Sequence, residues 1–194
     1  MNVAVYCSAK DCIPEEYLQL GDELGEWLAR EGHSLVYGGA TGGLMSRVSD
    51  AFRRTVVSMS DMSPSEPGKI IGVVPNRIIQ AGRKAQNCDT LFVVGTMAER
   101  KQRMRDLADC FVCLPGSYGT LDEMFDVIAS GTVGEHNKPL YILNHERFYD
   151  GIRIQSEHMH RLAFLPVEET YSPVFVETPD ELYGLISLLK PNRK

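Results

Sequence analysis

The sequence predicts an α/β fold in which a doubly wound parallel sheet of about seven strands carries helices on both faces. Apolar runs typical of strands alternate along the chain with amphipathic stretches typical of helices, and this alternation is characteristic of α/β proteins. Most of the apolar runs are continuous, as in strands that are covered on both faces of a parallel sheet. Glycine-rich turns follow two of the runs, and folds of this class bind ligands at such strand ends.

Seven short apolar runs are interpreted as strands: Asn2–Cys7, Ser34–Tyr37, Lys69–Val74, Thr90–Val94, Cys110–Leu114, Leu140–Asn144 and Val174–Val176. Helices are recognised from apolar residues on one face and from proline or glycine near their ends. They cover about Pro14–Arg30, Leu44–Arg54, Leu121–Ser130 and Pro179–Lys190, and a further helix starts near Thr96. We interpret Ser58–Gly68 as a surface loop and the final PNRK as a frayed end. These elements predict one domain over residues 1–194.

Composition narrows the classes of function. The 194 residues include 26 acidic and 20 basic side chains, with a formal net charge of -6. Nucleic acids and anionic membranes bind basic surfaces, so neither is an expected partner. No apolar run approaches the roughly 20 residues of a membrane-spanning helix, and the N-terminus lacks the pattern of a signal peptide. We therefore expect a cytoplasmic protein.

The cysteines and histidines do not form a recognisable metal or redox motif. The five cysteines are an odd number in a chain without a signal peptide, which favours reduced thiols. Cys110 and Cys113 form a C-x-x-C within the apolar run CFVCL, which favours a buried strand over a redox pair. The five histidines are scattered and show no zinc-binding spacing. We expect no metal site.

Two glycine-rich turns are candidate anion sites. The first, Tyr37–Met45, begins at the end of the second strand, and the second, Leu114–Glu123, begins at the end of the fifth. Glycine permits close approach of a ligand, and the amides and partial positive charge of a helix N-terminus favour phosphate. Neither turn is a G-x-G-x-x-G or a P-loop, which disfavours dinucleotides and triphosphates. Tight turns also use glycine for geometry alone, so the turns by themselves leave the function open.

A cluster of cations follows the fourth strand. Thr96 and Glu99 fit a helix-capping box. Four cations then occur within six residues: Arg100, Lys101, Arg103 and Arg105. Positive charge is unfavourable at a helix N-terminus. We expect the last two to lie on a solvated helix face, whereas the first two are equally compatible with a solvated face and with anion binding.

Glu123 and Ser117 have competing interpretations. Thr120 and Glu123 fit a capping box, as do Thr178 and Glu181, and spacing alone favours capping over a carboxylate that faces a ligand. Ser117 lies on a strand–turn–helix segment, but Pro115 stands where the nucleophile elbow G-x-S-x-G requires glycine. A serine hydrolase is therefore disfavoured.

These residues together resemble the LONELY GUY (LOG) family of cytokinin riboside 5′-monophosphate phosphoribohydrolases, which are often labelled lysine decarboxylases. The resemblance is carried by Met97-Ala-Glu-Arg100-Lys101 and, after a short helix and strand, by Pro115-Gly-Ser-Tyr-Gly-Thr-Leu-Asp-Glu123. Supporting pieces occur in family order over nearly the whole chain. They are the opening VAVYCSA, the turn GGATGGLM, IGVVP at Ile71–Pro75 and KPLYILN at Lys138–Asn144.

The resemblance implies a Rossmann-like nucleotide-binding domain, usually a homodimer with active sites near the subunit interface. It implies hydrolysis of the N-glycosidic bond of an N6-substituted adenosine monophosphate (AMP), without metal or organic cofactor, to the free base and ribose 5-phosphate. Arg100 and Glu123 become the catalytic pair. The predicted substrate-binding residues are Lys101, Gly116, Ser117, Tyr118, Gly119 and Thr120, together with Gly39, Gly42 and Gly43 of the first turn.

The chain departs from the family pattern at several positions. Ser117 replaces the second glycine of the P-G-G motif, which would strain the turn if that position requires a positive φ. The other departures are Ser8-Ala9, Ser46, the absence of a glutamate around Gln80–Arg83, and Ala129-Ser130. We expect the phosphate and sugar sites to be kept and the base pocket to be altered. A non-catalytic nucleotide carrier on the same fold is the alternative; no lysine motif supports a pyridoxal phosphate decarboxylase.

Overall fold

The computed structural model describes residues 1–59, 67–83, 87–165 and 171–189. The strands are β1 (Asn2–Tyr6), β2 (Ser34–Tyr37), β3 (Ile70–Pro75), β4 (Thr90–Val94), β5 (Cys110–Cys113), β6 (Leu140–Leu143) and β7 (Val174–Val176). The helices are α1 (Glu15–Arg30), α2 (Gly43–Met59), α3 (Asn76–Gln80), α4 (Met97–Leu107), α5 (Tyr118–Thr132), α6 (Asp150–Arg161) and α7 (Pro179–Ser187). A short 3-10 turn, His145–Arg147, follows β6.

The seven strands form one sheet in the order β4-β3-β2-β1-β5-β6-β7. Every neighbouring pair is parallel. The chain builds the sheet outward from β1 to β4, and then returns to the other side of β1 with β5. The carboxyl ends of β1 and β5 therefore flank the point where the order reverses, which is the usual ligand site of such sheets. The predicted doubly wound α/β fold is confirmed.

Buried side chains lie on both faces of the sheet. Val3 and Val5 of β1 pack on one face with residues of α1 and α2. Ala4 and Tyr6 of the same strand pack on the opposite face with residues of α4 and α5. This alternation explains why β1 reads as a continuous apolar run, because both of its faces are covered. Cys110 and Cys113 are buried in β5, as expected for the C-x-x-C, and burial raises the pKa of both thiols to about 12.

Several elements differ from the sequence prediction. The edge strand β4 is only partly covered, with Val93 54% exposed, so the expected burial on both faces is wrong for it. The α5 helix begins at Tyr118, three residues earlier than predicted. The α6 helix was not predicted; no residue of it is buried, and three of its twelve residues, Ile152, Ile154 and Met159, are large and apolar. In the predicted loop Ser58–Gly68, the first two residues belong to α2, whereas residues 60–66, like the terminal PNRK, lie outside the described residues.

None of the helices in the described part of the chain is long and apolar enough to cross a membrane. The longest, α2, has 17 residues. Its side chains Leu44, Val48 and Phe52 are buried in the core, whereas Val57 is exposed. The buried residues of this helix are thus used to build the core.

Candidate active site

A cleft of about 890 Å³ lies at the carboxyl edge of the sheet. Four segments line it. The β1–α1 loop contributes Ala9, Lys10, Asp11 and Cys12; the β2–α2 turn and the first turn of α2 contribute Thr41, Gly42 and Ser46; Arg83 follows α3; and Ser117 precedes α5. The sheet topology brings these segments together, because β1 lies between β2 and β5. Both predicted glycine turns therefore contribute residues to one cleft.

Arg100 and Glu123 form an ion pair near this edge of the sheet. Arg100 belongs to α4 and is 6% exposed, and Glu123 belongs to α5 and is 2% exposed. Nη1 of Arg100 donates a hydrogen bond to Oε1 of Glu123, and Nε of Arg100 donates to the backbone oxygen of Val73 at 3.0 Å. The guanidinium is thus fixed at two points, one on β3 and one on α5.

Backbone geometry makes room for this pair. Gly38, immediately after β2, lies against the guanidinium, and a Cβ at that position would overlap Nη2 of Arg100. The side chain of Met45 packs beside the same glycine. Gly38 is therefore needed for the close approach of the arginine to the β2–α2 turn.

The pKa of Glu123 is raised by burial, and the neighbouring Arg100 opposes that effect. Desolvation disfavours a buried carboxylate, whereas a hydrogen-bonded guanidinium stabilises it. Asp122 and Lys101 have smaller, opposite effects on the same group. Such competition between burial and a charged partner is common at catalytic carboxylates.

The N-terminus of α5 is open and electropositive. Ser117 precedes the helix and makes no side-chain capping bond. Among the described residues, no group accepts a hydrogen bond from the backbone amides of Tyr118, Gly119 or Thr120. Free amides at the positive end of a helix form a typical phosphate-binding site. Gly116 lies in the same turn and packs closely against the buried side chain of Thr120, which a Cβ at that position would overlap.

The first glycine turn is held by hydrogen bonds within the protein, and its predicted part in substrate binding stays a prediction. The amide of Gly42 donates to Oγ of Ser46 at 2.8 Å, and the amide of Gly43 donates to Oδ1 of Asp11 at 2.7 Å. Gly39 packs against β3, with its Cβ position 3.2 Å from the Cα of Gly72. The amides of Gly42 and Gly43 are therefore engaged within the protein, and the turn forms a wall of the cleft.

Lys101 does not line the cleft. Its Nζ lies 2.7 Å from Oδ1 of Asp122 and 3.4 Å from Oδ1 of Asp126, and the hydrogen bond that it donates to Asp122 raises its pKa. Arg105 also pairs with Asp126, so its expected place on a solvated face is wrong. Arg103 is exposed and stacks 4.2 Å above the ring of Phe92.

Two of the three predicted capping boxes are present. Oγ1 of Thr96 accepts from the amide of Glu99 at 3.1 Å, and Oγ1 of Thr178 accepts from the amide of Glu181 at 3.2 Å. The box of Thr120 and Glu123 is wrong, because α5 begins at Tyr118 and both residues lie inside it. Glu123 is thereby free to face Arg100.

Ser117 is not strained. Its φ of -95° and ψ of -164° are ordinary extended values, so the condition under which serine would strain the turn, a positive φ, is not met. We predict that Ser117→Gly does not tighten phosphate binding, and instead weakens AMP binding slightly because glycine loosens the turn before α5. Calorimetric titration with AMP measures the effect. A clear gain in affinity would contradict this prediction.

Comparison with known proteins places these motifs in a family. A family model described as "possible lysine decarboxylase" matches residues 56–186. A Mycobacterium tuberculosis protein named cytokinin riboside 5′-monophosphate phosphoribohydrolase is 37% identical over 152 residues, covering 78% of this chain and 75% of that protein. The probable phosphoribohydrolase LOGL9 of Oryza sativa is 33% identical over 179 residues, covering 92% and 73%. The chain belongs to the LOG family.

Solved structures resemble this LOG-family chain in fold. A molybdenum cofactor binding protein from Rippkaea orientalis superposes with a TM-score of 0.68 at 19% identity, covering 96% of this chain and 94% of that one. A molybdenum cofactor carrier protein from Chlamydomonas gives a TM-score of 0.65 at 17% identity, with the same coverage. At these identities the similarity concerns the fold alone.

Membership of the LOG family confirms the resemblance found in the R-K and P-G-S-Y-G-T motifs. The structure brings Arg100 and Glu123 into contact, and their catalytic role stays a prediction. No sequence signal pointed to Lys10, Asp11 or Arg83, which line the cleft outside any motif. Their placement depends on which loops the sheet order brings side by side.

Proposed function

We propose that this chain hydrolyses the N-glycosidic bond of a purine nucleoside 5′-monophosphate, an N6-substituted AMP, to the free base and ribose 5-phosphate. The relatives that are named cytokinin riboside 5′-monophosphate phosphoribohydrolases support this reaction. The observation that carries it is the buried pair of Arg100 and Glu123. Glu123 follows the open N-terminus of α5 by little more than one helical turn, so a carboxylate and an anion site are adjacent.

In this proposal the phosphate anchors the substrate. The free amides of Tyr118, Gly119 and Thr120 donate to the phosphate oxygens, and the positive end of α5 stabilises their charge. The phosphate does not react, so its binding energy holds the sugar in place for the chemical step. A nucleoside without the phosphate would lose this anchor.

Glu123 acts on the sugar. As the bond between C1′ and the base nitrogen breaks, its electron pair leaves with the base, and positive charge develops on the sugar ring. The carboxylate stabilises that charge and accepts a proton from the water whose oxygen bonds to C1′. The departing base takes up one proton from the surroundings. The reaction consumes one water and needs no redox partner.

Arg100 positions the carboxylate and favours its ionised form. Its bond to Val73 fixes the guanidinium on β3, and its bond to Glu123 lowers the pKa that burial raises. Arginine holds such a geometry better than lysine, because its donors lie in a rigid plane. Together the two side chains give a buried carboxylate whose ionised form is stabilised by a fixed guanidinium.

The same proposal includes a cytoplasmic homodimer that binds AMP and no nucleic acid. Five free cysteines fit a reducing compartment, and the net charge of -6 disfavours a polyanion. Tyr118 and Phe125 lie seven residues apart on α5, and both are exposed, Tyr118 to 88%. Exposed aromatic side chains on the helix that carries Glu123 fit a subunit interface.

Incubation with AMP and with N6-isopentenyl-AMP tests the proposal. We expect equimolar release of free base and ribose 5-phosphate, measured by liquid chromatography. A nucleotide carrier would instead bind both compounds and release neither base, and that outcome across a range of pH would overturn the proposed hydrolysis.

A further inference from the structure

Asp11 places a negative charge at the N-terminus of α2. Its Oδ1 accepts a hydrogen bond from the amide of Gly43, the first residue of this 17-residue helix, at 2.7 Å. The first amides of a helix and its positive end are where an external anion would bind. In this chain, that position is filled by one of the protein's own carboxylates.

The loop that carries Asp11 is held firmly in place. Gly43 has a φ of +50°, and a Cβ there would overlap the backbone oxygen of Lys10, so the loop and the turn are in direct backbone contact. The amide of Ser8 donates to the oxygen of Pro115 at 3.3 Å, which ties the same loop to the turn before α5. Asp11 is therefore a fixed feature of the cleft wall.

Three charged side chains line the cleft. They are Lys10, Arg83 and Asp11, which together carry one net positive charge. Among the described residues, neither cation lies within 4 Å of an acidic side chain. One phosphate bound at α5 is matched by these cations and by the helix. A second would add negative charge in the cleft that also contains Asp11.

We infer that Asp11 is a specificity-determining residue that restricts the cleft to nucleotides with a single phosphate. The inference rests on the proposed function, which puts the substrate phosphate at the N-terminus of α5. Ser117, at that end of α5, and Asp11 line the same cleft. A second phosphate extends from the first into this space, where the like charge of Asp11 repels it and the α2 amide is already taken. Nucleoside diphosphates are thereby excluded.

Asp11→Asn tests the inference, because it removes the charge and keeps an oxygen that accepts from the amide of Gly43. The probes are adenosine mono- and diphosphate analogues in which a CH₂ group replaces the ribose ring oxygen, since these are not hydrolysed. Calorimetry is expected to show that the unmodified protein binds the monophosphate about tenfold more tightly, or more. In Asp11→Asn the ratio is expected to fall to about threefold or less. Glu16→Gln, an exposed acid on α1 outside the cleft, is the matched control and keeps the original ratio.

The inference is overturned if the unmodified protein binds both analogues equally, if it binds neither, or if Asp11→Asn keeps the original ratio. The proposed hydrolysis is judged separately, by base release from AMP. If the protein discriminates between the analogues but releases no base from AMP, the proposed hydrolysis is wrong and the role of Asp11 is kept. If the protein releases base from AMP but binds the two analogues equally, the hydrolysis is kept and the role of Asp11 is wrong.

Discussion

Glu123→Gln is expected to lower kcat for base release by roughly 10³-fold, within the range attributed to a positioned acid or base. Glutamine has nearly the same shape, and its side-chain oxygen can still accept from Arg100, so the packing of α5 against α4 is kept. The substitution removes the negative charge that stabilises the sugar and accepts the proton. The substrate KM is expected to change little, because the phosphate site at the start of α5 is untouched.

Steady-state kinetics with AMP and a thermal unfolding curve check this result together. The unfolding curve is needed because loss of the charge leaves the buried Arg100 without a full ionic partner, which is destabilising. Glu135→Gln is the matched control, since it removes an exposed carboxylate just beyond α5, and its activity is expected to stay within about twofold. A folded Glu123→Gln protein with more than a tenth of the original kcat would remove Glu123 from the mechanism.

The pH dependence follows from the same carboxylate. Burial raises the pKa of Glu123 above its ordinary value, and Arg100 opposes the shift. Only the ionised form can stabilise positive charge or accept a proton, so activity is present above this pKa and falls as the pH drops through it. The acidic limb of kcat/KM is therefore expected above the ordinary range of a glutamate.

Much of the sheet could be predicted because the burial of a strand is visible in the strand's own residues. The strand β1 is buried on both faces, so every residue from Val3 to Tyr6 is apolar and the run stands out. The α6 helix could not be found in this way, because none of its residues is buried and three of its twelve residues are large and apolar. The edge strand β4 was found, although its exposure depends on its place in the strand order.

The site was predictable only where a motif carried it. Arg100 and Glu123 belong to recognisable segments, yet spacing alone favoured a capping role for Glu123. The extended conformation of Ser117 lets α5 begin at Tyr118, and this moves Glu123 into the second turn of the helix. Asp11 belongs to no motif. Its contact with Gly43 exists because β1 and β2 are neighbours, which is a property of the whole sheet.

Arg100→Lys is expected to lower kcat by about 10²-fold, although it keeps the positive charge. The guanidinium donates to Val73 through Nε and to Glu123 through Nη1 at the same time. A lysine ammonium is a single point and cannot reproduce both bonds with the same geometry. The carboxylate would then be less well placed and less well stabilised as an anion.

Arg100→Ala is expected to have the larger effect, both on kcat and on stability. Without the arginine, Glu123 is a buried carboxylate with no partner of comparable strength, a loss that costs roughly 3–5 kcal/mol in buried ion pairs. Its pKa then rises further, because the group that lowers it is gone. The acidic limb of the pH profile should therefore move to higher pH in Arg100→Ala.

Two measurements on Arg100→Lys and Arg100→Ala, kcat as a function of pH and thermal unfolding, distinguish a role of Arg100 in positioning Glu123 from a role in packing alone. Arg103→Lys is the control, because Arg103 lies on the same helix but is exposed and stacks on Phe92, and its activity should stay within about twofold. A purely structural arginine would lower stability in Arg100→Lys and leave the acidic limb where it was. If Arg100→Lys kept full activity, positive charge alone would suffice. The bond from Arg100 to Val73, which fixes the guanidinium beside Glu123, would then have no part in catalysis.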